Sequence, residues 1–325
     1  MLCKKCLLPE QKPNIYFNNE GICNICLTFE KNRSLNPSNK FLESEFIKIV
    51  NKYKGKNKYD CLVMCSGGKD STLALYYIKR RYKMNPLAFT FDHGFENEDA
   101  LANIRNAVEI LGVDWLYFKS DFMKDIFALI INHKRNTPIC HICAIWYLQL
   151  THEIASRYNI PLVVAGWTKG QSLEGADSGL EYAAMSEATS SFVTEYLHSQ
   201  PQYRGFPKSI KEVVEKSQKR FKTLKISPHW FLGYDPAKAM EILERELNWQ
   251  KPEISYPADS TNCLMNFASV YLSMEHYGYT HYHIELSKLI RLGELSRQEA
   301  MRILEVKFDR EFVNSILSRI GCRLG

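Results

Sequence analysis

Six consecutive residues, Ser66-Gly67-Gly68-Lys69-Asp70-Ser71, constrain this chain more than any other part of its sequence. They follow an apolar run, Cys61-Leu62-Val63-Met64-Cys65, that reads as a buried strand. They open a helix whose apolar positions recur through Leu73, Leu75, Tyr76 and Ile78. A strand, a glycine turn and a helix N-terminus together make an anion cradle, because unpaired N–H groups and the positive end of the helix dipole face the ligand. Glycine at 67 and 68 lets the backbone approach a phosphate with no Cβ in the way. Lys69 adds a point charge, and Ser66 and Ser71 add hydroxyl donors. Asp70, at the helix start, either helps hold Mg²⁺ through phosphate oxygens or caps the helix. The pattern is not a Walker A loop, which requires G-x-x-x-x-G-K-[ST].

Around this loop, strand and helix patterns alternate from residue 59 to about 170, as a parallel sheet requires. The expected strands are Cys61–Cys65, Leu87–Phe91, Trp115–Phe118 and Leu162–Ala165. The helical stretches are Ser71–Arg81, Glu98–Leu111, Phe122–His133 and Ala144–Tyr158, with Gly112 placed to end the second. Residues 41–56 read as a short amphipathic helix. From about 171 onward helices with irregular connections take over. Lys208–Lys225, with seven Lys/Arg against two Glu, reads as an exposed helix or mobile insertion. Ser296 and Glu299 form a capping box for a helix over Arg297–Val306. The fold class is therefore α/β: a doubly wound parallel sheet with a cysteine-rich N-terminal ribbon and a mostly helical C-terminal region. The expected divisions are 1–35, 36–200 and 201–325, the last closing over the active site.

Ten cysteines in 325 residues matter for where they fall. Cys3-x2-Cys6 and Cys23-x2-Cys26 are separated by sixteen residues, the spacing of a zinc ribbon. Four thiolates on two tight turns give closed tetrahedral coordination, so the expected Zn²⁺ is structural and staples a module with little core of its own. A second set comprises Cys140 and Cys143, on a predicted helix, and the distant Cys263. If the fold gathers them, three thiolates suit a [4Fe-4S] cluster with one iron left open. A redox pair and simple packing are the alternatives. Cys61 and Cys65 belong to the first strand's core, and Cys322 has no assignment. The chain begins straight into the cysteine pair with no apolar leader, and no run approaches the roughly 18 apolar residues of a membrane helix. A cytoplasmic enzyme with no membrane association is expected. The net charge of +6 suits an anionic ligand without arguing for nucleic acid.

The loop at 66–71 resembles the SGGKDS motif of the PP-loop ATP pyrophosphatases, of the adenine nucleotide alpha hydrolase-like type. That resemblance implies ATP as cofactor, with pyrophosphate held by Ser66, Gly67, Gly68, Lys69 and Ser71. It also implies that the next strand end, Asp92-His93-Gly94, lies beside the adenine and ribose. The Cys-x-x-Cys plus a distant Cys, together with N-terminal knuckles, resembles the iron-sulfur-dependent tRNA thiolation enzymes of the same superfamily. The whole layout also looks like the N-acetyl sugar amidotransferases. They share the double knuckle, here Cys3-Lys4-Lys5-Cys6-Leu7-Leu8-Pro9 and Gly21-Ile22-Cys23-Asn24-Ile25-Cys26. They share the loop and the Cys-x-x-Cys helix too, and a stretch like Glu285–Ala300 near the end. One departure stands out: their Trp-Gly-Glu-Asn type sequence is replaced by Gly166-Trp167-Thr168-Lys169-Gly170-Gln171-Ser172. Gly166 and Lys169 remain candidate nucleotide or substrate contacts there, a solvated lysine being the alternative for the second.

These features give an adenylating enzyme that replaces a substrate oxygen by sulfur, with Lys69, Asp70, Cys140, Cys143 and Cys263 as catalytic residues. The alternative is replacement by nitrogen, as in an amidotransferase fed by a separate ammonia-supplying glutaminase. A third reading is a non-catalytic zinc-ribbon RNA-binding protein whose nucleotide loop has decayed. A small-molecule substrate is favoured over tRNA, because the dense basic stretch 208–225 offers one aromatic, Phe221, for base stacking. A sulfide or other sulfur donor is implied, and a homodimer is allowed. His281 and His283 alternate as on a strand or turn.

Overall fold

The computed structural model describes residues 1–32, 39–171, 179–257 and 263–325. After the cysteine ribbon come α1 (Asn24–Lys31) and α2 (Asn39–Tyr53). Strand and helix then alternate: β1 (Cys61–Met64), α3 (Lys69–Tyr76), β2 (Pro86–Asp92), α4 (Glu98–Leu111), β3 (Asp114–Lys119), α5 (Phe122–Asn132), α6 (Ile139–Arg157) and β4 (Leu162–Val164). Beyond these lie α7 (Ala183–Phe192), α8 (Ile210–Lys216), β5 (Leu224–Ile226), α9 (Pro228–Phe231), α10 (Pro236–Leu247), α11 (Met265–Tyr277), α12 (His281–Leu292), α13 (Arg297–Ile303) and α14 (Arg310–Leu317).

The five strands form one parallel sheet in the order β3-β2-β1-β4-β5. Successive residues of β1 point to opposite faces, so each supplies a different core. Leu62 and Met64 join the layer containing α5, α6 and α11. Cys61, Val63 and Cys65 join the layer containing α2, α3, α4 and α10. Both faces of β1 are thus covered, which explains its unbroken apolar run. The chain leaves β1 toward β2 and β3, then returns to the other side for β4 and β5. The switch point between β1 and β4 opens a crevice at the carboxyl ends of the strands, where open α/β sheets bind ligands.

Two expectations need correction. The basic stretch 208–225 is neither a single exposed helix nor a mobile insertion. It forms α8, a wide helical turn over Ser217–Phe221 and the start of β5, an edge strand paired with β4 in register Leu162↔Leu224. His281 and His283 lie on a helix rather than a strand: they occupy the first turn of α12, where the Thr280 N–H donates to His283 Nδ1 (3.1 Å). No helix among the described residues is long and apolar enough to cross a membrane.

Candidate functional site

The phosphate loop leaves β1 at Cys65, whose N–H still donates to the Phe89 carbonyl (2.8 Å). Gly67 then adopts φ +78°, and a Cβ there would sit 2.1 Å from the Ala100 carbonyl oxygen, so both conformation and space require glycine. Gly68 is the N-cap of α3. The turn is cross-braced by its serines: the Ser66 N–H donates to Ser71 Oγ (3.2 Å), and Ser71 Oγ donates to the Gly68 carbonyl (3.1 Å). From outside, Trp249 Nε1 donates to the Gly67 carbonyl (2.9 Å). Gly166, just past β4, packs so closely on this turn that a Cβ would lie 2.4 Å from Ser71 Cα.

Asp70 is more than a helix cap. Its carboxylate accepts from the Tyr234 hydroxyl and lies 3.3 Å from Lys69 Nζ, while His229 Nε2 donates to its carbonyl (2.8 Å). Burial works against the charge, but Lys69, His229 and Tyr234 outweigh it and hold the carboxyl below the usual range. Tyr234 and His229 carried no signal in the sequence, since they lie about 160 residues downstream of the loop.

A cavity of about 290 Å³ opens at the switch point. It is lined by Ser66, Gly68, Asp70 and Ser71 of the loop, by Gly166, Trp167 and Gln171 beyond β4, and by Cys140, Cys143, Cys263, His93 and Glu96. A second cavity of about 790 Å³ adjoins it, sharing Cys140, Ala144, Trp167, Gln171 and His281. Glu285 lines the larger one and accepts from Thr168 Oγ1 (2.8 Å); burial pushes its carboxyl up to about 7. Lys225 lies over the Trp167 ring at 3.8 Å and the Trp230 ring at 4.9 Å, on the same wall.

The strand-end motif divides. His93 lines the smaller cavity, whereas Asp92 turns into its own bend: its carboxylate accepts from the Gly94 N–H (2.6 Å) and the Tyr117 hydroxyl and pairs with Lys119. Gly94 faces Lys124, where a Cβ would lie 2.5 Å from its Cε. Lys169 pairs with Glu294 rather than lining either cavity, and its neighbours Trp167 and Gln171 take the lining positions. Ser172 and residues 259–262 lie outside the described residues.

The N-terminal cysteines Cys3, Cys6, Cys23 and Cys26 are fully buried, and their sulfurs all lie within 4.8 Å of one another. Backbone N–H groups of Cys23, Cys26 and Leu8 point at the sulfurs of Cys3, Cys23 and Cys6, which favours thiolate. This donor set fits Zn²⁺ or another tetrahedral thiophilic ion. The ribbon docks on α12 and α13: the Leu7 N–H donates to Ser287 Oγ (3.0 Å), and Arg297 Nε donates to the Cys6 carbonyl (3.0 Å). Its core continues into Met185, Tyr279 and Ile284.

The second cysteine set is built from two segments, α6 and the turn before α11. Cys140 begins α6, where its N–H donates to Ser269 Oγ and its thiol to Asn266 Oδ1 (3.4 Å), both on α11. Cys263 precedes α11 and is bridged to Glu96, while the Leu264 N–H donates to the Phe95 carbonyl (2.9 Å). Burial pushes the Cys140 thiol up to about 11 and raises Cys143 and Cys263 well above the usual range, with Glu96 adding to all three. Such thiols stay protonated unless a cation pairs with them. Three thiols lining one cavity fit a [4Fe-4S] cluster in donor type and number. The closer spacing needed by a single ion is met by a different group, Cys263 with His93 and Glu96. Glu96 escaped the sequence reading; the one trace of it was a carboxylate three residues past His93.

No protein-family model matches this chain. It is 25% identical over 307 residues to an uncharacterized protein of Methanocaldococcus jannaschii, covering 94% of this chain and 93% of that protein. Among solved structures it is similar to U34-tRNA thiolase NcsA from Methanococcus maripaludis with its [4Fe-4S] cluster, with TM-score 0.40, 18% identity, and 95% and 89% of the two chains covered. It is also similar to NMN synthetase from Francisella tularensis, with TM-score 0.41, 11% identity, and 89% and 99% covered. A third is NH3-dependent NAD synthetase from Campylobacter jejuni, with TM-score 0.34, 18% identity, and 67% and 100% covered. Likeness this loose assigns no reaction, and the functional reading rests on the residues.

Proposed function

We propose that this protein is a PP-loop ATP pyrophosphatase that adenylates a carbonyl or amide oxygen of a small molecule and then replaces that oxygen by sulfur. The observation that carries the reading is the meeting, on one cavity of about 290 Å³, of the 66–71 loop with Cys140, Cys143 and Cys263. The substrate oxygen attacks the α-phosphorus of ATP, and pyrophosphate leaves into the cradle of Gly67, Gly68, Lys69 and the two serines. Mg²⁺ would offset the phosphates' charge, and Asp70, the carboxylate beside the loop, would help hold it. Hydrogen sulfide then adds to the activated carbon, AMP departs with the original oxygen, and a proton is lost. The chain's part is to hold both reactants together and to stabilise charge developing on the phosphates. A [4Fe-4S] cluster on the three cysteines would supply an iron position that gathers the incoming sulfur. The adjoining cavity of about 790 Å³ is of small-molecule size and supports a metabolite over tRNA as substrate.

The second reading, ammonia as the incoming group, is favoured by one observation: Cys263 has its closest metal-type partners in His93 and Glu96 and not in the other two cysteines. Two measurements test these readings. Lys69→Ala should lower conversion of ATP to AMP and pyrophosphate by about 10²–10³-fold, as loss of one preorganised charge-stabilising group does. Wild-type turnover in that variant would remove the loop from the chemistry. With a substrate in hand, product formed from sulfide and lost in Cys140→Ala and Cys143→Ala supports sulfur. Product formed from ammonium and retained in both variants supports nitrogen.

A further inference from the structure

Cys263 lines the cavity of the 66–71 loop, and main-chain contacts fix the segment that carries it. The bridge between residues 96 and 263, and the Leu264 N–H donating to the Phe95 carbonyl, pin this segment against the strand-end turn after β2. His93, at the start of that turn, is 3% exposed, and its Nε2 lies 3.6 Å from Cys263 Sγ and 3.5 Å from Glu96 Oε1. All three ligand atoms fall within 4.8 Å of one another.

The two separations from His93 are those of a coordination sphere. With zinc at its usual distances from nitrogen, oxygen and sulfur, the edges of a tetrahedron joining such donors are about 3.3–3.6 Å. The donors also suit the ion in kind: one thiolate, one imidazole and one carboxylate are a borderline-soft set of the sort zinc accepts. Their charges balance it, since a thiolate and a carboxylate together neutralise a divalent cation, as a buried site requires. Among the described residues no lysine or arginine forms an ion pair with Glu96, whose side chain is 10% exposed.

We propose that His93, Glu96 and Cys263 form a binding site for a single zinc-class divalent cation in the protein that carries no cluster. Three protein ligands leave a fourth position, and because the trio lines the cavity of the 66–71 loop, a small donor in that cavity completes the sphere. The site stands on donor geometry alone and does not depend on which atom replaces the substrate oxygen. Cys263 cannot serve a single ion and a cluster at once, so the two loadings are exclusive.

The test is metal analysis of full-length, aerobically purified, iron-free protein, dialysed against zinc and then washed. The expected content is about two zinc per chain, one of them in the N-terminal ribbon. His93→Ala, Glu96→Gln and Cys263→Ala should each fall to about one, while Cys140→Ala stays at two. Cobalt substitution supplies the independent readout. The second equivalent should give tetrahedral visible bands with a single-thiolate charge-transfer band, absent in Glu96→Gln, whose shape matches the wild type. One zinc in the wild type, or loss of the second ion in Cys140→Ala, overturns the assignment. So does a second ion that survives in both His93→Ala and Glu96→Gln. Pyrophosphate release in the same samples reports the adenylation reading separately, so failure of one cannot be mistaken for failure of the other.

Discussion

At the N-terminus four cysteine sulfurs gather around one point; at the end of β2 one cysteine meets a histidine and a carboxylate. The first group comes from two short turns sixteen residues apart, is sealed from solvent and has every corner filled. The second is assembled from segments about 170 residues apart, borders a cavity and has three corners. A closed set of thiolates can only hold the chain together, whereas an open, mixed set can also receive a ligand. Helix α12 touches the surroundings of both, its His281 lining the cavity that the second group borders. On α12, Ser287 receives the ribbon's Leu7 N–H, while Glu285 lines the larger cavity and accepts from Thr168. Arg291 on the same helix forms a buried ion pair with Glu181; burial works against its charge, but Glu181 and the thiolates of Cys6, Cys26 and Cys23 sustain it.

The largest effect should come from opening the closed set. Cys3→Ser or Cys23→Ser should remove about one zinc per chain and lower stability by several kcal/mol, because metal binding in so small a module is folding energy. The loss should appear as a large drop in melting temperature and in soluble yield. Unchanged zinc content and melting temperature would mean that the four cysteines only pack, and the contrast with the second site would collapse.

Helix α12 comes next. Arg291→Ala removes one charged partner of the buried Glu181, which should cost up to about 3–5 kcal/mol in urea unfolding. Arg291→Lys should recover part of this. A loss below about 1 kcal/mol would show that this ion pair does not hold α12 to the segment before α7.

The same contrast governs what could be read from sequence. The phosphate loop and the ribbon are contiguous or nearly so, and their chemistry is written in spacing alone. β1 to β4 fall where apolar runs put them. β5 escaped because Leu224-Lys225-Ile226 is three residues long and lies in a basic stretch; pairing with β4, not local pattern, makes it a strand. Cys140, Cys143 and Cys263 were singled out by residue type, and the fold does bring them to one cavity. Glu96, His229 and Tyr234 had no such advertisement. Their importance comes from what the chain folds against them: Cys263 against Glu96, Asp70 against the other two. Asp92 is the converse case, a motif residue whose carboxylate satisfies its own turn and Tyr117.

The smallest effect separates the two faces of α12 by pH. Glu285 has its carboxyl raised by burial from the ordinary glutamate range to about 7 in the ligand-free fold. Below the ordinary value both folded and unfolded chains hold the proton, and Glu285 contributes no pH dependence. As pH rises from there toward 7 the unfolded chain releases the proton and the folded chain keeps it, so stability falls; above about 7 both are ionised and the loss levels off. At about 1.4 kcal/mol per pH unit across that window, the penalty reaches ~3 kcal/mol at most. Glu285→Gln keeps the shape and cannot ionise. It should match the wild type in urea unfolding at pH 5, within the modest effect of altering the Thr168 hydrogen bond, and exceed it at pH 8. Ser287→Ala, on the ribbon-facing side of the same helix, should change stability by the same amount at both pH values. A Glu285→Gln difference independent of pH would mean that the carboxyl is solvated in solution, and that the cavity side of α12 is no more open to titration than the sealed ribbon side.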